Sequence, residues 1–123
     1  MNIIIAEDER IIALSTSMML RRMGHTVLDL CPSAERCLET VANSRPDIVL
    51  MDIRMEGEMD GIEAAGILRE KYQLPVIFTT AFDDAETRRR AADVDPLGFL
   101  VKPVIYSDLL PFLETLDAQS SQL

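Results

Sequence analysis

The chain has 123 residues, 48% of them apolar and 27% charged, which suits one soluble globular domain with its own core and excludes a disordered segment. Its formal net charge of −9 argues against nucleic-acid binding, because such affinity rests on Lys and Arg neutralising phosphates. There is no basic leader, and no apolar run nears the ~20 residues of a membrane span, so a cytoplasmic protein without membrane contact is expected.

Asn2 to Ala6 is a short apolar, β-branched run and predicts the first strand. After the charged stretch Glu7 to Arg10, apolar residues at Ile11/Ile12, Leu14, Met18/Met19 and Met23 recur at helical spacing, and Gly24 suits a helix stop near Met23. Four more apolar segments follow, at Thr26 to Cys31, Asp47 to Met51, Pro75 to Thr79 and Leu97 to Val101, each leading into a helical stretch. Cys31 and Cys37, with His25 as the single histidine, are too few for a disulfide framework or a zinc site and read as reduced, packed thiols. Ser33 can cap the second helix, Asp60 or Gly61 opens the third, and Asp83 with Glu86 forms a capping box for the fourth. The fifth opens at Ser107 or Asp108; Asp108 as N-cap would put Pro111 in the first turn, where its missing N–H does no harm.

Five βα units in succession imply an α/β domain, a doubly wound three-layer sandwich around a parallel sheet. "DIVLM" and "PVIFT" are continuously apolar, as strands covered on both faces should be. The domain is expected to span residues 1–118, with 119–123 as a polar tail.

In such a sheet the functional crevice lies at the carboxyl ends of the strands. The first strand ends in Glu7 and Asp8, the third in Asp52, the fourth in Thr79 and Thr80, and the fifth in Lys102. Singly each residue has an ordinary structural use. Carboxylates gathered within roughly 4 Å repel by something like 4 kcal/mol at an effective dielectric near 20, so together they call for a cation. Oxygen-only ligands at low count favour hydrated Mg2+, or Mn2+, over zinc or caged Ca2+. A divalent ion, the Lys102 ammonium and the Thr80 hydroxyl would then form a pocket for a dianion such as phosphate.

From Ile3 to about Leu116 the chain resembles the receiver domains of two-component response regulators. The carriers are "IIIAEDE", "PDIVLMDIRM", "DGIEAA", "PVIFTTA" and "GFLVKP", in that order. The resemblance implies a flavodoxin-like sheet of order 2-1-3-4-5 with five helices. It makes Asp52 the phosphoacceptor, assigns the cation to Glu7, Asp8, Asp52 and the Arg54 backbone carbonyl, and gives Thr80 and Lys102 the phosphoryl oxygens. It further implies a phosphohistidine donor, on a sensor histidine kinase or a phosphotransfer protein, with acetyl phosphate as a substitute. The domain would catalyse only its own phosphorylation and dephosphorylation. Thr80 would be coupled to Phe99, which is either the switch aromatic or plain core, and so to the face of the fourth helix, fifth strand and fifth helix, where a downstream protein or a second copy could dock. A cis Lys102-Pro103 bond is also implied.

The loop "RMEGEMDG" departs from the family's common form, with Glu56 in place of proline and one residue more. Its acids Glu56, Glu58 and Asp60 either influence the cation site or are a solvated loop, the preferred reading. Arg88 to Arg90 is the longest basic run; a solvated helix surface is preferred over a phosphate patch, and the run is a first guess for a partner surface. Three rivals remain. An aspartyl phosphatase would need a second acid where Arg54 stands, a nucleotide-binding module would need a glycine-rich loop after the first strand, and a docking receiver would act without phosphorylation. With nothing after residue 123, a stand-alone regulator or a fragment is expected.

Overall fold

The computed structural model describes residues 1–121, and they form five strands alternating with five helices. In chain order these are β1 (Asn2–Ala6), α1 (Arg10–Arg22), β2 (Thr26–Cys31), α2 (Ala34–Ala42), β3 (Ile48–Asp52), α3 (Gly61–Tyr72), β4 (Val76–Thr80), α4 (Ala85–Ala92), β5 (Gly98–Val101) and α5 (Tyr106–Ser121). All pairings are parallel and the sheet order is β2-β1-β3-β4-β5, so the expected doubly wound α/β sandwich is the fold.

Side chains alternate across the sheet with period two, and this divides the core. Ile3, Ile5, Ile48, Leu50 and Ile77 pack with Ala13 and Leu20 of α1 and Leu109 and Leu113 of α5. Ile4, Val49, Met51, Val76 and Phe78 face the other way, onto α2, α3 and Ala91 of α4. Both free cysteines lie in this second layer, fully buried. Every residue of β3 and β4 is buried, so Asp52, Thr79 and Thr80 are polar groups at the ends of otherwise apolar strands.

The strand limits differ from the sequence reading by one residue: β3 runs through Asp52, β4 through Thr80, and β5 begins at Gly98. Register explains two of these, because Asp52 pairs with Thr79 and Thr80 with Val101. Gly24, at φ +93, lies just beyond Met23, the residue that closes α1. Ser33 caps α2 through the Arg36 amide and Asp60 caps α3 through the Glu63 amide, both as expected.

Two caps differ. Helix α4 is capped by Asp84, whose Oδ1 accepts the Thr87 amide at 2.9 Å, and not by Asp83 in a box with Glu86. Asp83 is instead paired with the Arg88 guanidinium, and Glu86 with Arg89. The Thr87 amide is therefore expected to exchange faster with solvent in Asp84→Ala and to stay protected in Asp83→Ala, as read by hydrogen-exchange NMR. Helix α5 begins at Tyr106, before the expected Ser107 or Asp108, because the Asp108 and Leu109 amides already bond the Ile105 carbonyl. Pro111 consequently sits inside the helix. It is tolerated there because Ser107 and Pro111 are both exposed, so water can serve the carbonyl that the proline leaves unpartnered. The helix continues through residues 119–121, part of the expected tail; residues 122 and 123 lie outside the described residues.

Candidate functional site

Register brings the polar strand ends together. Ala6 of β1 pairs with Met51 of β3, so Glu7 emerges beside Asp52, and Thr80 pairs with Val101, so Lys102 emerges next to them. Glu7, Asp52 and Thr80 are 5%, 4% and 0% exposed, which is unusual for such groups unless they are paired. One carboxylate oxygen from each of Glu7, Asp8 and Asp52 lies within 4.8 Å of the others.

Lys102 closes this nest. Its Nζ lies 3.0 Å from Asp52 Oδ2 and contacts Glu7 Oε1, with only 14% of its side chain exposed. Burial alone would lower the lysine pKa, but the hydrogen bonds to Glu7 and Asp52 outweigh it and hold the ammonium above its ordinary value. The Asp8 carboxyl is raised, by burial first and then by its hydrogen bond to Glu7 and the Glu7 charge. One ammonium thus faces three acids, and the deficit of positive charge is what a bound cation would relieve.

Backbone amides fix the orientation of the acids. The Glu9 amide donates to Glu7 Oε2 at 3.1 Å, and the Arg54 amide donates to Asp52 Oδ1 at 3.3 Å. Thr80 Oγ1 accepts the Phe82 amide at 3.0 Å. The Lys102-Pro103 peptide is cis. Gly61, the first residue of α3, donates its amide to the Ile53 carbonyl at 2.8 Å and passes so close to Asp52 that a Cβ there would meet the Asp52 carbonyl oxygen at 2.1 Å.

Residues 3–114 match the response regulator receiver domain family. The chain belongs to that family. It is 35% identical over 112 residues to the transcriptional regulatory protein PdtaR of Mycobacterium tuberculosis, covering 91% of this chain and 54% of that one. Over 119 residues it is 40% identical to the positive alginate biosynthesis regulatory protein of Pseudomonas aeruginosa, covering 93% and 46%. The receiver therefore spans about half the length of these curated relatives. Among solved structures it resembles the signal receiver domain of a modulated diguanylate cyclase from Desulfovibrio desulfuricans, with a TM-score of 0.90, 35% identity and coverage of 98% and 96%. No helix of the described residues is long and apolar enough to cross a membrane.

Around this receiver's acid pocket lie contacts that sequence reasoning did not find. Arg54 places its guanidinium 3.8 Å from the Phe82 ring centre and 3.9 Å from Asp84. The basic run of α4 is not a uniform solvated surface: Arg88 covers the half-buried Phe99 ring at 4.5 Å, and Arg90 reaches Asp60 at 2.7 Å. Only Thr87 and Ala91 of α4 are buried, and Arg88 and Arg90 add contacts to β5 and to the start of α3. No local spacing links positions 54 and 82, or 60 and 90; each pair exists because β3 and β4 are neighbours and α3 and α4 flank the same layer.

Proposed function

We propose that this receiver accepts a phosphoryl group on Asp52 from a phosphohistidine of a sensor histidine kinase or phosphotransfer protein, with Mg2+ held by Glu7, Asp8, Asp52 and the Arg54 carbonyl. The observation that carries the reading is the buried Asp52 carboxylate, held between Lys102 and the Arg54 amide and beside two further acids. The donor set is all oxygen, and its 4.8 Å spread is little more than the roughly 4 Å between opposite ligands of an octahedral Mg2+. Mn2+ would fit the same set.

An Asp52 oxygen attacks phosphorus, the P–N bond to the donor imidazole breaks, and the imidazole leaves with a proton from solvent. A bound divalent cation would supply charge neutralisation for the phosphoryl oxygens. Lys102, already against the acceptor carboxylate, binds one of those oxygens, and the Thr80 hydroxyl turns from the Phe82 amide to another. Turning Thr80 is the signal. A Phe99 response to it must displace the Arg88 guanidinium from the ring, which couples the switch to the outer face of α4, β5 and α5. That face is the proposed site for a downstream protein or a second copy.

Receiver domains are in general not enzymes, although one matched relative is a protein-glutamate methylesterase/protein-glutamine glutaminase of Natronomonas pharaonis, of which this chain covers 28%. Against an aspartyl phosphatase stands Arg54: the position two residues after Asp52 carries a guanidinium engaged with Phe82 and Asp84 and no acid. Incubation with acetyl phosphate and Mg2+ is expected to add a single phosphoryl mass, measured on the intact protein, that is absent after chelation and absent in Asp52→Asn. An adduct that persists in Asp52→Asn would overturn the assignment. Steady phosphate release from many esters would favour the phosphatase, and a chain that never gains the mass would favour docking without phosphorylation.

A further inference from the structure

Between Asp52 and Gly61 the chain makes a loop with three acids, Glu56, Glu58 and Asp60, and a glycine, Gly57, at φ +111. Asp60 is engaged as the α3 cap and with Arg90. Glu56 and Glu58 are exposed, a few residues from a pocket whose proposed donor is an anion.

Glu35, in the first turn of α2, is the residue in contact. Its Oε1 accepts the Met59 amide at 2.8 Å, and its carboxylate lies so close to Gly57 that a Cβ there would be 2.5 Å from Oε2. Its own amide first, then those of Met59 and Glu58, keep the carboxyl below its ordinary range. Met55 and Met59, on either side of the glycine, pack against the α2–α3 core layer. The loop is thus strapped to a helix that contributes none of the proposed phosphoryl or cation ligands.

We infer that Glu35 is a positioning residue: by holding residues 57–59 against α2 it keeps Glu56 and Glu58 turned to solvent, and Arg54 beside Asp52, while an anionic phosphodonor enters. The inference rests on Asp52 being the acceptor. It opposes simple electrostatics in sign, because deleting a negative charge near the pocket should by itself ease the approach of an anion. Loss of the strap should hinder it.

The test compares the native chain with Glu35→Ala, Glu35→Gln and Glu39→Ala for the acetyl phosphate concentration giving half-maximal phosphoryl gain at saturating Mg2+. Glu39 is a charge-matched control, exposed on the same helix and paired with Arg36 at 3.8 Å. Glu35→Ala is expected to raise that concentration several-fold. Glu35→Gln should restore most of it, since its side-chain carbonyl can still accept the Met59 amide, and Glu39→Ala should leave it unchanged or lower it. Met59 amide exchange should accelerate only in Glu35→Ala. Equal constants for Glu35→Ala and Glu39→Ala, with the native chain phosphorylated, would overturn this inference and leave the Asp52 reading standing. A native chain that gains no phosphoryl group would overturn both.

Discussion

Replacing Lys102 with alanine is expected to destabilise the fold by about 3 kcal/mol in the absence of divalent cations, the scale on which breaking a buried ion pair falls. Lys102 lies between Glu7 and Asp52, whose side chains are 3% and 6% exposed, so the substitution leaves two desolvated carboxylates facing one another. Their repulsion at roughly 4 Å is again of the order of 4 kcal/mol at an effective dielectric near 20. Urea unfolding should show a lower midpoint with an unchanged slope, because the loss lies in the native state and not in the surface exposed on unfolding. Millimolar Mg2+ should restore part of the deficit by binding only the folded form. A midpoint equal to that of the native chain would show that the ammonium does not compensate these acids and that they call for no cation.

The second large effect is expected at Gly61. A methyl group there would lie 2.1 Å from the Asp52 carbonyl oxygen and 2.9 Å from Met51 Cγ, and the nearer obstacle is backbone, which no side-chain rotation can clear. The start of α3 must then retreat from the end of β3, weakening the bond from the Gly61 amide to the Ile53 carbonyl. Gly61→Ala should cost about 3 kcal/mol, the upper end of ordinary overpacking, and should slow phosphoryl gain on Asp52 under conditions where the variant is still folded. Gly66→Ala is the control. Gly66 lies inside α3, where an added Cβ would meet only Val94 Cγ1 at 3.4 Å, and helix propensity should make that variant neutral or more stable by up to about 1 kcal/mol. Equal stabilities for the two variants would contradict the close approach at Gly61.

The element order, the parallel sheet and the polar strand ends were legible because each is written in local pattern. Apolar runs of strand length, the switch to helical spacing and Gly24 after Met23 need only near neighbours to be read. The membership of the acid nest was legible too, since carboxyl ends of parallel strands share one edge of the sheet. Reading by spacing failed where two local candidates competed. Asp83 and Asp84 are adjacent acids before one helix; α4 begins at Ala85, which makes Asp84 the cap on the Thr87 amide and leaves Asp83 to Arg88. Pro111 argued for a late start to α5, but the buried Leu109 and Leu113 hold the helix on the sheet and put the proline on the wet side.

By itself, then, the order of residues determined a doubly wound α/β domain with Glu7, Asp8, Asp52, Thr80 and Lys102 at one edge of its sheet, because periodicity and strand polarity act along the chain, and its motifs carried the resemblance to receivers. Tertiary structure alone decided which charge meets which: Lys102 between Glu7 and Asp52, Arg54 on Phe82, Arg88 on Phe99, Arg90 on Asp60 and Glu35 on the loop between β3 and α3. The reason is physical. Long charged side chains carry no periodic signal, and each can reach several partners. Their pairing is settled only when the packed layers bring remote segments within a few ångströms.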